Sequence, residues 1–137
     1  MKDEVNRIDQ EHSHNSTQPQ GKTKKFALRV IKLYSALPRR RDAQVLGSQI
    51  LRSGTSVGAN YREACRAKSD ADFISKVEGA LQELDETAYW LELLGEAEIL
   101  AFTRLQALHN EAEELIAILV TIVTKVKRKG LRKARRI

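Results

Sequence analysis

A single cysteine, Cys65, in 137 residues closes off every intramolecular disulfide, and an unpaired thiol of this kind is typical of a small buried residue in a reducing compartment. Two prolines and seven glycines exclude collagen-like and linker-dominated chains. Aromatic residues make up only 5% of the sequence, so a sheet-rich fold, which draws on aromatic and β-branched residues, is disfavoured. No run is long enough to span a bilayer. The longest apolar stretch, Leu115 to Val123, falls well short of the roughly 20 residues that a membrane helix needs. The N-terminus has no apolar signal segment, and the expected location is the cytoplasm. What is abundant is Leu, Ala, Glu, Lys and Arg, the composition of an amphipathic helical protein of one domain.

Charge is distributed unevenly. Residues 22–62 carry ten basic side chains and one acid, residues 63–114 carry four and thirteen, and residues 125–137 carry eight and none. The first 21 residues are polar, without apolar periodicity, and are expected to form a disordered leader. His12 and His14 lie within it, too isolated to suggest a metal site.

Apolar residues then recur at spacings of three and four. Phe26, Val30, Leu33 and Leu37 predict a first helix from about Thr23 to Leu37, stopped by Pro38. Asp42 is a candidate N-cap for a second helix, in which Ala43, Leu46, Ile50, Ser53, Val57, Asn60 and Ala64 keep one register through Gly54 and Gly58. That register predicts a continuous helix from Asp42 to Lys68, with a neighbouring helix packed closely on the two glycines; a break near Ser53 to Ser56 is the alternative. Ser69 begins a capping sequence for a third helix, to about Ala97, with Phe73, Val77, Ala80, Leu84, Thr87 and Leu91 in its core stripe. Leu105, Leu108, Ala112, Leu115, Leu119, Ile122 and Val126 mark a fourth. The expected architecture is all-α: an antiparallel up-down four-helix bundle over residues 22–128, between the leader (1–21) and a basic disordered tail (129–137).

Leu28, Ile31, Tyr89, Trp90 and Leu93 fall off the core stripes and are candidates for an oligomer interface. Ser53, Asn60 and Glu63 are candidates for a polar network that sets helix register, since a core-facing amide needs partners. Catalytic constellations are missing: Cys65 and His109 are not placed as a pair, no Glu-x-x-His motif on the predicted helices supports a di-metal site, and the glycines lack a phosphate-loop pattern. No enzyme activity, metal or cofactor is expected. An Asn60–Glu63 network is the one remaining place for a hidden site.

Electrostatics remains. Lys24, Lys25, Arg29 and Lys32 on the first helix, Arg39, Arg40 and Arg41 in the following turn, and Lys127, Arg128, Lys129, Arg132, Lys133, Arg135 and Arg136 at the end are candidate contacts to RNA or DNA phosphates, with little base readout. Whether they form one surface is not fixed by sequence.

The run Leu51-Arg52-Ser53-Gly54-Thr55-Ser56-Val57-Gly58-Ala59-Asn60-Tyr61-Arg62-Glu63-Ala64, together with Phe26 to Leu37, Asp72-Phe73-Ile74 and Glu86-Thr87-Ala88-Tyr89-Trp90-Leu91, resembles the bacterial four-helix-bundle proteins encoded in intervening sequences of 23S rRNA genes. The resemblance covers roughly Lys24 to Val126. It implies a ring-like homo-oligomer, a pentamer, and no established enzymatic activity. A similar bundle is the accessory protein of diversity-generating retroelements, where it contacts a reverse transcriptase and nucleic acid. Two roles follow as expectations: a non-enzymatic protein binding RNA or DNA backbone, or an interaction scaffold for a protein such as a polymerase.

Overall fold

The computed structural model describes residues 18–136. Four helices follow one another: α1 (Pro19–Ser35), α2 (Arg41–Cys65), α3 (Asp70–Glu96) and α4 (Phe102–Arg135). Each packs against its neighbours in sequence, and α4 returns to α1, least extensively of the four seams. The backbones of the diagonal pairs α1/α3 and α2/α4 do not approach each other closely. The result is an antiparallel four-helix bundle. The core residues Phe26, Val30, Ile50, Val57, Val77, Leu84, Leu91, Leu115 and Leu119 are fully or almost fully buried, at the three-four spacing that puts them on one face of each helix.

α2 runs unbroken through both internal glycines. A Cβ on Gly54 would lie 2.7 Å from Val30 Cγ2, and one on Gly47 would collide with Leu37 Cδ1. These two glycines, seven residues apart, let α1 and α2 approach. Gly58 has ordinary room, its nearest neighbour being Thr23 O at 3.5 Å. The close approach expected at Gly54 and Gly58 is found at both, against Val30 and against the Thr23 backbone, and Gly47 adds a third contact.

Helix ends differ from the sequence expectation in places. α1 begins at Pro19, inside the segment assigned to the leader, because proline is preorganised for the first helical position and lacks an N–H to leave unpaired. Asp42 is not the N-cap of α2. That position is Arg40, and Asp42 lies in the first turn, where its carboxylate accepts from Ala43 N and from the Arg40 guanidinium, both at 2.8 Å. Ser69 does cap α3, accepting from Asp72 N at 3.1 Å. α4 continues to Arg135, through most of the residues assigned to a disordered tail. Lys, Arg, Leu and Ala are strong helix formers, and Gly130 is a single weak link among them.

α3 ends in a Schellman motif. Glu98 N donates to Gly95 O, Ile99 N donates to Leu94 O, and Glu98 occupies the left-handed region with φ 58°.

Candidate nucleic-acid interface

The up-down order gathers one end of each helix at each end of the bundle. The start of α1, the end of α2, the start of α3 and the end of α4 share one end, as Lys22–Glu114 across α1/α4 and Lys127–Glu78 across α3/α4 require. Here α4 outruns α1. Glu114 is level with Lys22 near the start of α1, and α4 runs 21 residues further, to Arg135, about 31 Å at the usual rise.

The overhang carries the densest positive charge of the molecule. Lys125, Arg128, Lys129, Arg132, Lys133 and Arg136 border one shallow surface depression, because offsets of 3, 4, 7, 8 and 11 fall on one helical face. All six are exposed and form no ion pair among the described residues. Lys127 sits on the flank nearer α3 and is tied to Glu78 at 2.7 Å. Arg135 is exposed beside the stripe. Cations at this end also have a helix C-terminus behind them, where the backbone dipole favours positive charge.

The other sequence-predicted cations divide between the two ends. Lys24 and Lys25 lie in the second turn of α1, at the same end as the stripe, and are exposed without an ion pair among the described residues. Arg29 is paired with Glu111 of α4, so part of its charge is spent on the α1/α4 seam. Lys32 is exposed in the last turn of α1. Arg39, Arg40 and Arg41 are at the opposite end of the bundle, about 50 Å along its axis from Arg135, and Arg40 is held by Asp42. Turn and tail therefore do not form one surface. Three cations not singled out from the sequence, Arg62, Arg66 and Lys68, are exposed at and just beyond the end of α2, at the same end of the molecule as the stripe but on the helix diagonal to α4. Grouping charge by chain segment splits Arg66 and Lys68 from the other cations, and only the up-down order brings them back.

The polar network takes another form. Ser53 is fully buried and its partner is Thr87 of α3: the two hydroxyls lie 2.7 Å apart, and Ser53 Oγ donates to Gln49 O at 2.8 Å. Asn60 is half-buried beside Gly79, with its Nδ2 3.5 Å from where a Cβ there would lie. Glu63 is exposed and pairs with Lys76 at 3.0 Å, which raises the lysine pKa. The three residues are not brought together. Arg52 instead bridges α2 to Glu86 at 2.6 Å and Glu83 at 3.3 Å, with its pKa raised first by the hydrogen bond to Glu86.

Of the interface candidates, Leu28, Ile31 and Tyr89 are 59%, 44% and 54% exposed. Trp90 is half-buried, packed against the core and tilted on Tyr89 with ring centroids 5.1 Å apart. Leu93 is half-buried as well.

His109 Nε2 lies 3.6 Å from Glu92 Oε2, an ion pair only when the imidazole is protonated. Among the described residues no group of three or more His, Cys, Asp or Glu side chains is placed to hold a metal ion. No helix among them is long and apolar enough to cross a membrane.

A family model described as 23S rRNA-intervening sequence protein matches residues 18–121. A solved structure from Bacteroides thetaiotaomicron, described as a protein with unknown function from the S23 ribosomal protein family, is 42% identical, with a TM-score of 0.74 over 77% of this chain and 98% of that one. No curated protein matches. The cation stripe at 125–136 lies beyond the family match.

Proposed function

We propose, for a chain that belongs to the 23S rRNA-intervening sequence protein family, a non-enzymatic role in which an oligomeric bundle binds the phosphate backbone of RNA or DNA through its basic end. The observation that carries this reading is the α4 overhang: six exposed cations on one helical face without an ion pair among the described residues, with Arg62 of α2 and, just beyond it, Arg66 and Lys68 at the same end of the bundle. Phosphate contact of this kind releases condensed counterions, so its affinity falls steeply with salt. Lys24 and Lys25, level with about Glu114, lie back along the bundle from the stripe. Arg39 and Arg41 supply a second, smaller contact, separated by the length of the bundle.

Assembly as a ring, with the pentamer that the family resemblance implies, would repeat the overhang around an axis and multiply its field. Leu28 and Ile31, apolar and exposed on α1, are the surface assigned to that assembly. A second reading, a scaffold for a protein partner such as a polymerase, is favoured by Tyr89, exposed and resting on Trp90. The cytoplasm is the compartment in which either role is placed.

The test is equilibrium binding of the purified protein to a fluorescent structured RNA and to a DNA duplex across a salt series. The expected result is a log–log slope of about −0.9 per phosphate neutralised on the duplex. Absence of binding to both at low salt refutes the nucleic-acid reading and leaves the scaffold.

A further inference from the structure

Resting on that reading, we propose that the α4 stripe has an occupant in its own chain: residues 1–17 lie along the overhang through their acidic side chains, and nucleic acid must displace them to reach the same cations. The position of the stripe carries this. Glu111 and Glu114 are the α4 residues that pair with α1, through Arg29 and Lys22. Eighteen residues make about five full helical turns, so Lys129 and Arg132 leave α4 in the same direction as Glu111 and Glu114. The stripe is therefore the α1-facing side of α4, prolonged past the point where α1 begins. Residues 1–17, outside the described residues, join the molecule at this place, through Gln18 and Pro19.

The lengths agree. Lys22 is level with Glu114, so Pro19 is roughly level with Ala117, and from there Lys125 is about 12 Å and Arg136 about 28 Å further along α4. An extended chain covers about 3.3 Å per residue, which lets Glu11 reach about 26 Å from Pro19 and Glu4 about 50 Å. Both ends of the stripe are within range. The signs agree as well. Within the bundle, α1 supplies the cations of the α1/α4 seam and α4 the carboxylates. Beyond it the roles are exchanged: the overhang carries only cations, and residues 1–17 carry Asp3, Glu4, Asp9 and Glu11 against Lys2 and Arg7. From Asp9 to Gln18 there is no Lys or Arg. Single exposed ion pairs are weak, but a short tether supplies the acids at an effective concentration of about a millimolar or more. Such a contact is strong enough to form and weak enough for phosphate to displace. Affinity falls in proportion to the fraction of time a site is open, so a stripe open for about a tenth to a third of the time binds about three- to tenfold more weakly than a bare one.

The experiment uses the full chain. A carbodiimide joins a carboxylate to a lysine amine only where the two touch, and the joined peptides are identified by mass spectrometry on isotope-labelled and unlabelled chains refolded together. The expected result is coupling of Asp9 or Glu11 to Lys125, Lys129 or Lys133 within one isotopic chain, suppressed by excess DNA duplex and by about 1 M salt, where screening is complete beyond about 3 Å. A second full-length protein carries Asp3→Asn, Glu4→Gln, Asp9→Asn and Glu11→Gln, and is titrated beside the parent with a fluorescent DNA duplex and an RNA hairpin. It should bind about three- to tenfold more tightly at low salt, with the advantage shrinking as salt rises. Absence of the cross-links overturns the docking even if the neutralised protein binds more tightly, because losing four negative charges strengthens binding without any contact; the nucleic-acid reading then stands. Cross-links found only between copies overturn the assignment to the chain's own segment. Cross-links with unchanged affinities overturn the competition. Failure of both probes to bind either protein refutes the nucleic-acid reading and the competition with it, and the cross-link alone then decides the docking.

Discussion

Gly54 and Gly58 are one helical turn apart and differ in what a methyl group would meet. At Gly54 it would strike both methyls of Val30, a β-branched side chain with little rotamer freedom to yield. Gly54→Ala is expected to destabilise the bundle by about 1–3 kcal/mol. Gly58→Ala, which meets Thr23 at ordinary contact distance, should stabilise it by about 0.5–1 kcal/mol through helix propensity and a less flexible unfolded chain. Chemical denaturation of the two variants beside the parent checks the opposite signs. Tyr61 gives a second handle. Burial, and then its neighbour Cys65, push its phenol up to about 12, against about 10 in the unfolded chain. The folded state therefore holds the proton longer. The stability this contributes is intact below about pH 10 and is lost as pH rises toward 12. Tyr61→Phe should flatten that alkaline loss, read as Tm against pH for both proteins.

At the scale of elements, the end of α3 carries an avoidable cost. Glu98 takes the left-handed position that glycine fills in most Schellman motifs, at a steric cost of about 1–2 kcal/mol. Glu98→Gly removes it and adds chain entropy, for an expected net gain of about 0.5–1 kcal/mol, measurable as a raised denaturation midpoint. Helix existence and core stripes were legible in the sequence because apolar spacing tracks the buried face directly; Val30, Ile50, Leu84 and Leu119 lie where that spacing puts them. The ends were less legible. Pro19 sits in a polar stretch that periodicity cannot see, and the last turns of α4 are helical through propensity, with exposed cations rather than core residues. The partner of Ser53 was hidden too: Thr87 is 34 residues away, a pairing set by how α2 and α3 are offset. As for the candidate interface, the cations could be counted in the sequence, but their separation into two ends needed the fold.

The whole molecule is electrically lopsided, basic where α4 overhangs, with α2 and α3 joined on their flank by Arg52, Glu83 and Glu86. If Leu28 and Ile31 close the proposed assembly, Leu28→Glu with Ile31→Glu should lower the mass measured by light scattering to that of a monomer while helicity is unchanged. An unaltered mass would remove α1 from the interface. The order of packing has a kinetic side. Three of the four seams join helices adjacent in the chain, so most contacts close short loops, and such topologies fold on the order of microseconds to milliseconds. The α1/α4 seam is the exception. It brings together Lys22 and Glu114, 92 residues apart, and its chain-entropy cost falls on the least extensive of the four contacts. The clasp between first and last helix is thus the natural last step of folding and the first place for the bundle to come undone.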